Sequence, residues 1–327
     1  KAQSVNYGGP IDTADVLDEY IGSHIHKFRT KYDVVERKGE LGEKKDEEIN
    51  IDRAAFRLHL IGLLKEDKIN CRNFMTASVV AFDICLGRDI LSKKIVIHHV
   101  HRIALVPRYL EDFPDSRLLC MVRDPRANYV SGVENWKKFN PVADHPAYPI
   151  YILKRASDEV LELKNNHHQK IKSLRLEDLG DRKVVEKLCD WMGVGYSDEL
   201  ESSTWGNKRW WGDKISQNKI PDSEKGYSPS MNKNSWKLKL GFLDTLVLNH
   251  LLFPMLSFFQ YKIGVGGNVF WFPVIILIIL VPTVYERKYL KFSYLFKIIR
   301  RRQIKLLVSL PYNFFRRVRL YYFWLWR

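Results

Sequence analysis

LLCMVRDPRANYVSG, residues 118–132, decides how this chain is read. Leu118 to Val122 form a short continuous apolar run of strand length, and Pro125 suits the first turn of a following helix. A strand that opens into a helix N-terminus is a natural anion site, because unpaired backbone N–H groups converge there with a guanidinium, here Arg123. Ser131 adds a hydroxyl on the helix, so Arg123 and Ser131 are placed to hold one phosphate from two sides. An Arg-Asp pair that merely caps the helix is the plain alternative, since Arg-Asp-Pro by itself is common.

The neighbouring segments extend the pattern. KKIVIHHVHRIALVPRYLEDFPDSR, residues 93–117, reads as a strand over Ile95 to Ile97, a polar turn, an amphipathic helix and a Phe113-Pro114-Asp115 turn leading back to the strand at 118. SLRLEDL at 173–179, STWGNKRWWGDKISQNKI at 203–220 and SWKLKLGFLDTLVLNHLLFPMLSFFQYKIG at 235–264 come next. In this order the segments resemble the sulfotransferases that use 3′-phosphoadenosine 5′-phosphosulfate (PAPS), over roughly residues 50–262. The resemblance implies that Arg123 and Ser131 bind the 3′-phosphate of the nucleotide. SLRLEDL is similar to an Arg-Tyr-Glu-Asp-Leu segment, with Leu176 where Tyr is usual. The loop written Asn-Gly-X-X-Trp-X-Gly-Asp in bacterial members corresponds to Gly206, Trp211, Gly212 and Asp213, which implies cofactor-binding roles for the last three. A Trp-Lys-X-X-Leu piece and a closing helix complete the likeness.

For the whole chain the resemblance implies an α/β fold, a parallel sheet flanked by helices as in P-loop NTPases. PAPS is then the sulfuryl donor and adenosine 3′,5′-bisphosphate (PAP) the product, with no metal. The acceptor is a hydroxyl, of a carbohydrate or glycolipid. One part is missing. Members of the family open with a Ser-Gly-Thr-Thr type turn that cradles the 5′-phosphosulfate, and residues 1–60 contain none; Gly8-Gly9-Pro10 is a turn signal only. Either the first strand and loop precede Lys1, or donor binding has been lost and the protein is a catalytically inactive scaffold.

Sulfuryl transfer needs donor and acceptor oxygens in line and a base for the acceptor proton. His98, His99 and His101 stand at the end of the strand expected at 95–97, and strand alternation prevents His98 and His99 from facing one cleft together. His99 is the first choice of base, then His101, then His98. For each one, capping or core packing is an equal reading. The strand ends at Arg123 and at His98 and His99 are expected to open on one side of the sheet, where ligands of open α/β folds sit. Glu177 and Asp178 read as turn-fixing residues. Trp210, Trp211 and Asp213 read as a loop closing over nucleotide or sugar, or as anchors of that loop.

The chain carries a net charge of +15, but residues 286–327 hold 12 Lys and Arg against one acidic residue, which leaves about +4 on the rest. The excess therefore belongs to a C-terminal tail, where basic clusters alternate with Tyr, Phe and Trp as interfacial segments do. RNA binding by this tail is a competing reading, and nucleic acid is otherwise not expected as a partner. Ile263 to Tyr285, with FWFPVIILIILVP at its centre, is a candidate membrane segment of barely sufficient length. It either pairs with Leu243 to Tyr261 as a hairpin or lies in the interface; core packing is the favoured reading for Leu243 to Tyr261. The expected organisation is a polar segment over 1–50, an α/β domain over 51–262, the membrane segment over 263–285 and a basic amphipathic tail over 286–327. A membrane-associated enzyme with a cytoplasmic catalytic domain is the resulting expectation, with a Golgi lumenal location as the alternative. Four widely spaced cysteines read as reduced, buried thiols.

Helices are expected from Asp52, with Phe56, Leu60, Leu63 and Leu64 on one face, from Asn73 to Leu86, and from Val184 to Met192 before Gly193. Acceptor specificity is expected in loops near 30–50, 140–150 and 205–230.

Overall fold

Apolar residues spaced three and four apart dominate this chain, and helices result: the described residues are 62% helical. The computed structural model describes residues 18–19, 21–22, 41–64, 70–100, 102–136, 146–154, 171–211, 235–265 and 272–325. Two compact units are present. The first comprises residues 1–101, 105–116 and 185–228, and the second comprises 102–104, 117–184 and 229–327.

In the first unit, helices α1 (Arg53–Leu64) and α2 (Cys71–Cys85) pack together around Phe56, Leu60, Leu64, Ala77 and Ala81. Asp52 caps α1 through its carboxylate and the Ala55 N–H at 2.7 Å, and Asn70 caps α2 through the Asn73 N–H at 2.8 Å. Leu63, counted on the inner face by spacing, is 40% exposed instead. Helix α3 (Val106–Asp112) comes after an extended stretch. A two-residue hairpin joins Thr204–Trp205 to Lys208–Arg209. Its turn places Gly206 at φ 58° and Asn207 at φ 66°, the left-handed pair that a tight hairpin of matching twist requires.

The second unit contains the one parallel pair found among the described residues, β1 (Leu118–Val122) beside β2 (Ile171–Arg175), in register from Leu118 with Ile171 to Val122 with Arg175. Helix α4 (Pro125–Trp136) leaves β1 directly; α5 (Arg182–Met192), which ends at Gly193 with φ 79°, follows β2 in the chain and from Val185 on belongs to the first unit. The core gathers around Tyr129, Val133, Trp236, Leu248, Leu252 and Leu256, from α4, α6 (Phe242–Leu251) and α7 (Phe253–Phe258). Helices α8 (Phe272–Ile278), α9 (Val284–Leu290), α10 (Phe292–Arg300) and α11 (Ile304–Leu325) complete the unit.

Two expectations are overturned. The first is the α/β sheet flanked by helices. Ile95 to Ile97 form no strand, and these residues are 40%, 47% and 84% exposed. Run length marks a segment as able to be a strand, but only a hydrogen-bonded neighbour makes it one, and among the described residues the parallel sheet has two strands. β1 itself is not buried on both faces, as Leu119 is 37% and Met121 45% exposed. With no strand at 95–97, the shared sheet edge that was to bring His98 and His99 beside Arg123 loses its basis.

The second correction concerns the membrane segment. Among the described residues no helix is long and apolar enough to cross a membrane. Within the hydrophobic run over 263–285, the described residues from 272 on form the seven-residue α8, a turn and the start of α9, and Ile275 and Ile279 are fully buried in protein. Pro282 and the Thr283–Glu286 capping box stop and restart the helix, so the run never reaches spanning length. Leu243 to Tyr261 is core, as Leu246, Leu248, Leu252 and Leu256 are at most 1% exposed.

Candidate functional site

The corner between β1 and α4 is built from charges that satisfy one another. Asp124 accepts the Arg126 backbone N–H at 2.9 Å, which caps α4, and takes the Arg126 guanidinium through both carboxylate oxygens at 3.0 and 2.7 Å. Arg126 also donates to Asn249 Oδ1 at 2.8 Å and to the Lys262 carbonyl at 3.1 Å, with its guanidinium 4.3 Å over the Trp236 ring. Asp124 thus caps the helix, as the plain alternative expected, but the guanidinium it holds is that of Arg126 and not of Arg123. Asp124 and Arg126 are both buried, at 7% and 4% exposure, so Arg126 is committed to the fold.

A second layer ties β1 to the turn after β2. The Asp124 backbone N–H donates to Glu177 Oε1 at 2.9 Å, and Tyr261 donates its hydroxyl to Glu177 Oε2 at 2.8 Å. Burial and the Glu177 carboxylate push the Tyr261 phenol far above its ordinary range, so it stays a hydrogen-bond donor. Arg175, at the end of β2, grips Asp178 at 2.6 and 2.8 Å and donates to the Gln260 carbonyl at 3.0 Å. Glu177 and Asp178 therefore do fix this turn, and they also tie it to the end of α7.

Arg123 stands apart. It ends β1 beside the N-terminus of α4, half-buried, and its Nε is buried without a hydrogen-bond partner among the described residues. A buried unpaired guanidinium nitrogen is costly unless something anionic meets it. Ser131 lies on the second turn of the same helix, also half-buried. The corner thus presents a cation whose neighbours Asp124, Arg126 and Glu177 are already engaged with one another.

The histidines belong to the first unit. His98 Nδ1 is 3.1 Å from the Tyr109 hydroxyl, and its ring stands edge-on to Tyr109 and Phe113. Burial pushes its imidazole below the ordinary value, and its Nε2 is buried without a partner among the described residues. His99 is exposed, and His101 lies outside the described residues.

Trp211 is 9% exposed; its indole N–H donates to the Gly42 carbonyl at 2.7 Å and Arg209 lies 3.7 Å from the ring centre. This is the anchoring role. Gly212 and Asp213 lie outside the described residues. The cysteines form no disulfide, and Cys71 is exposed where a buried thiol was expected.

Sequence reasoning passed over Asn249 and Tyr261. Their signal was a polar side chain inside an apolar helix and a hydroxyl just after one, which reads as poor membrane sequence rather than as a partner for a distant charge. Compared with family models, curated proteins and solved structures, the chain matches none.

Proposed function

We propose that the β1–α4 corner binds the 3′-phosphate of PAPS and that the protein transfers a sulfuryl group to a hydroxyl, on a carbohydrate or glycolipid. The observation that carries this reading is the buried, unpartnered Nε of Arg123 at a helix N-terminus. It rests on the chemistry of one corner and on the motif order in the sequence, and requires no particular sheet. A 3′-phosphate fits because it is a compact dianion, matched to a guanidinium and the Ser131 hydroxyl.

In the reaction the acceptor oxygen attacks sulfur, the bond from sulfur to the phosphate oxygen breaks, and PAP leaves with the electron pair. The acceptor proton passes to a base. Binding of the 3′-phosphate positions the donor, so its loss raises KM for PAPS more than it lowers kcat.

A second reading is a nucleotide-binding scaffold without transfer. One assay separates the two: release of PAP from PAPS in the presence of polysaccharide and glycolipid extracts. Transfer is expected for the native chain and strongly reduced for Arg123→Met. PAP binding without turnover selects the scaffold, and neither binding nor turnover removes both readings.

A further inference from the structure

Helix α11 is built inside out. Its body-facing side carries Asn313, Arg317 and Tyr321, at 5%, 1% and 1% exposure, whereas Ile304, Val308, Tyr312 and Phe315 on the opposite side are 66–69% exposed. These four fall at intervals of four, four and three residues, one stripe along the helix. Helix α10, which packs against α11, buries Ile298 but also turns Phe292, Phe296 and Ile299 outward, at 82%, 56% and 59% exposure. Ordinary solvent-facing helices place charge outward and apolar groups inward.

The inversion is held rigidly. Arg317 donates to the Ile279 and Val281 carbonyls at 2.7 and 3.3 Å, covering the open end of α8. Its Nε lies 3.2 Å from Glu286 Oε1, an ion pair without the alignment of a hydrogen bond. α11 therefore cannot roll its apolar stripe into the body without stripping a buried charge pair of its partners.

We propose that the outer faces of α10 and α11 form a docking surface for an anionic lipid bilayer, which they enter at the headgroup level without crossing. Charge complementarity selects this occupant. Lys305, Arg316 and Arg319 share the exposed side of α11 with the apolar stripe, Arg300, Arg301 and Arg302 lie exposed between the helices, and residues 286–327 hold one acidic residue, Glu286, which is turned inward. Apolar side chains ringed by cations suit headgroups and the acyl boundary at once. This surface does not depend on the proposed transfer reaction.

The test is flotation of the full chain with phosphatidylcholine vesicles, with and without phosphatidylglycerol. The expected result is capture by the anionic vesicles only, falling about 10-fold or more in Phe296→Asp/Phe315→Asp and in Arg316→Gln/Arg319→Gln. Both variants keep the native circular dichroism and PAP binding, while Arg123→Met floats like the native chain, so failure here is distinguishable from failure of the nucleotide reading. Four outcomes overturn the proposal: no flotation, equal flotation without anionic lipid, retention of RNA in place of vesicles, or a lipid-free dimer that buries Phe296 and Phe315.

Discussion

Arg123 and Arg126 are separated by two residues and sit in opposite electrostatic circumstances. Arg126 has a carboxylate, an amide, a carbonyl and an indole face around it, whereas the Nε of Arg123 has no partner among the described residues. Breaking a buried pair leaves the other charge stranded, so Arg126→Met should destabilise the protein by about 3–5 kcal/mol in denaturant melts. Arg123→Met should leave stability within about 1 kcal/mol, because it removes a group with an unmet hydrogen-bond demand. A variant pair showing the reverse order would assign the structural role to Arg123. His98 supplies a pH prediction. Burial holds its folded-state pKa below the ordinary 6.5, so on acidification the unfolded chain takes up the proton first and stability falls as pH drops below that value. In His98→Phe the decline in stability between pH 7 and 5 should be shallower, by melts at matched ionic strength. At this scale the sequence made the capping role of Asp124 legible, because capping is local. It could not show that Asn249 meets Arg126, a contact between residues 123 positions apart.

Among the elements, β1 and α4 were legible from run length and Pro125, both properties of a short window. Ile95 to Ile97 carry the same signal and form no strand, since pairing is decided by a neighbour and not by the segment. The run over 263–285 misled for a related reason: hydropathy measures avoidance of water, and protein core satisfies it as well as lipid does. The α8–α9–α11 junction replaces the membrane reading with a testable one. Burial pushes the Glu286 carboxyl above its ordinary value even with Arg317 beside it, so the pair is held at a desolvation cost. Arg317→Met should therefore cost about 3–5 kcal/mol, while Arg317→Met with Glu286→Leu should cost clearly less than the sum of the two single changes. Strict additivity in that double-mutant cycle would mean the two side chains do not interact. At the end of α7, Gln260 holds a left-handed φ of 56°, a conformation that favours glycine. Gln260→Gly is expected to stabilise by up to about 1 kcal/mol in thermal melts, provided the Arg175 bond to its carbonyl survives.

Over the whole molecule, composition located the basic tail correctly, since charge counts need no knowledge of contacts, but it could not show which face of each helix the charges and aromatics occupy. The fold class was less legible. Ordered motifs suggested a parallel sheet flanked by helices, whereas the described residues are mostly helix, with one two-strand parallel pair and one two-strand hairpin. The features that survive that correction are local: a strand end, a helix start and a guanidinium whose Nε has no hydrogen-bond partner among the described residues. Calorimetric titration of the full chain with PAP, beside adenosine 5′-monophosphate and Arg123→Met, tests this most directly. The account predicts saturable, salt-sensitive binding of PAP that weakens at least about 30-fold, or ~2 kcal/mol, both when the 3′-phosphate is absent and when Arg123 is replaced. Equal affinity for the two nucleotides, or PAP binding unchanged in Arg123→Met, would contradict it.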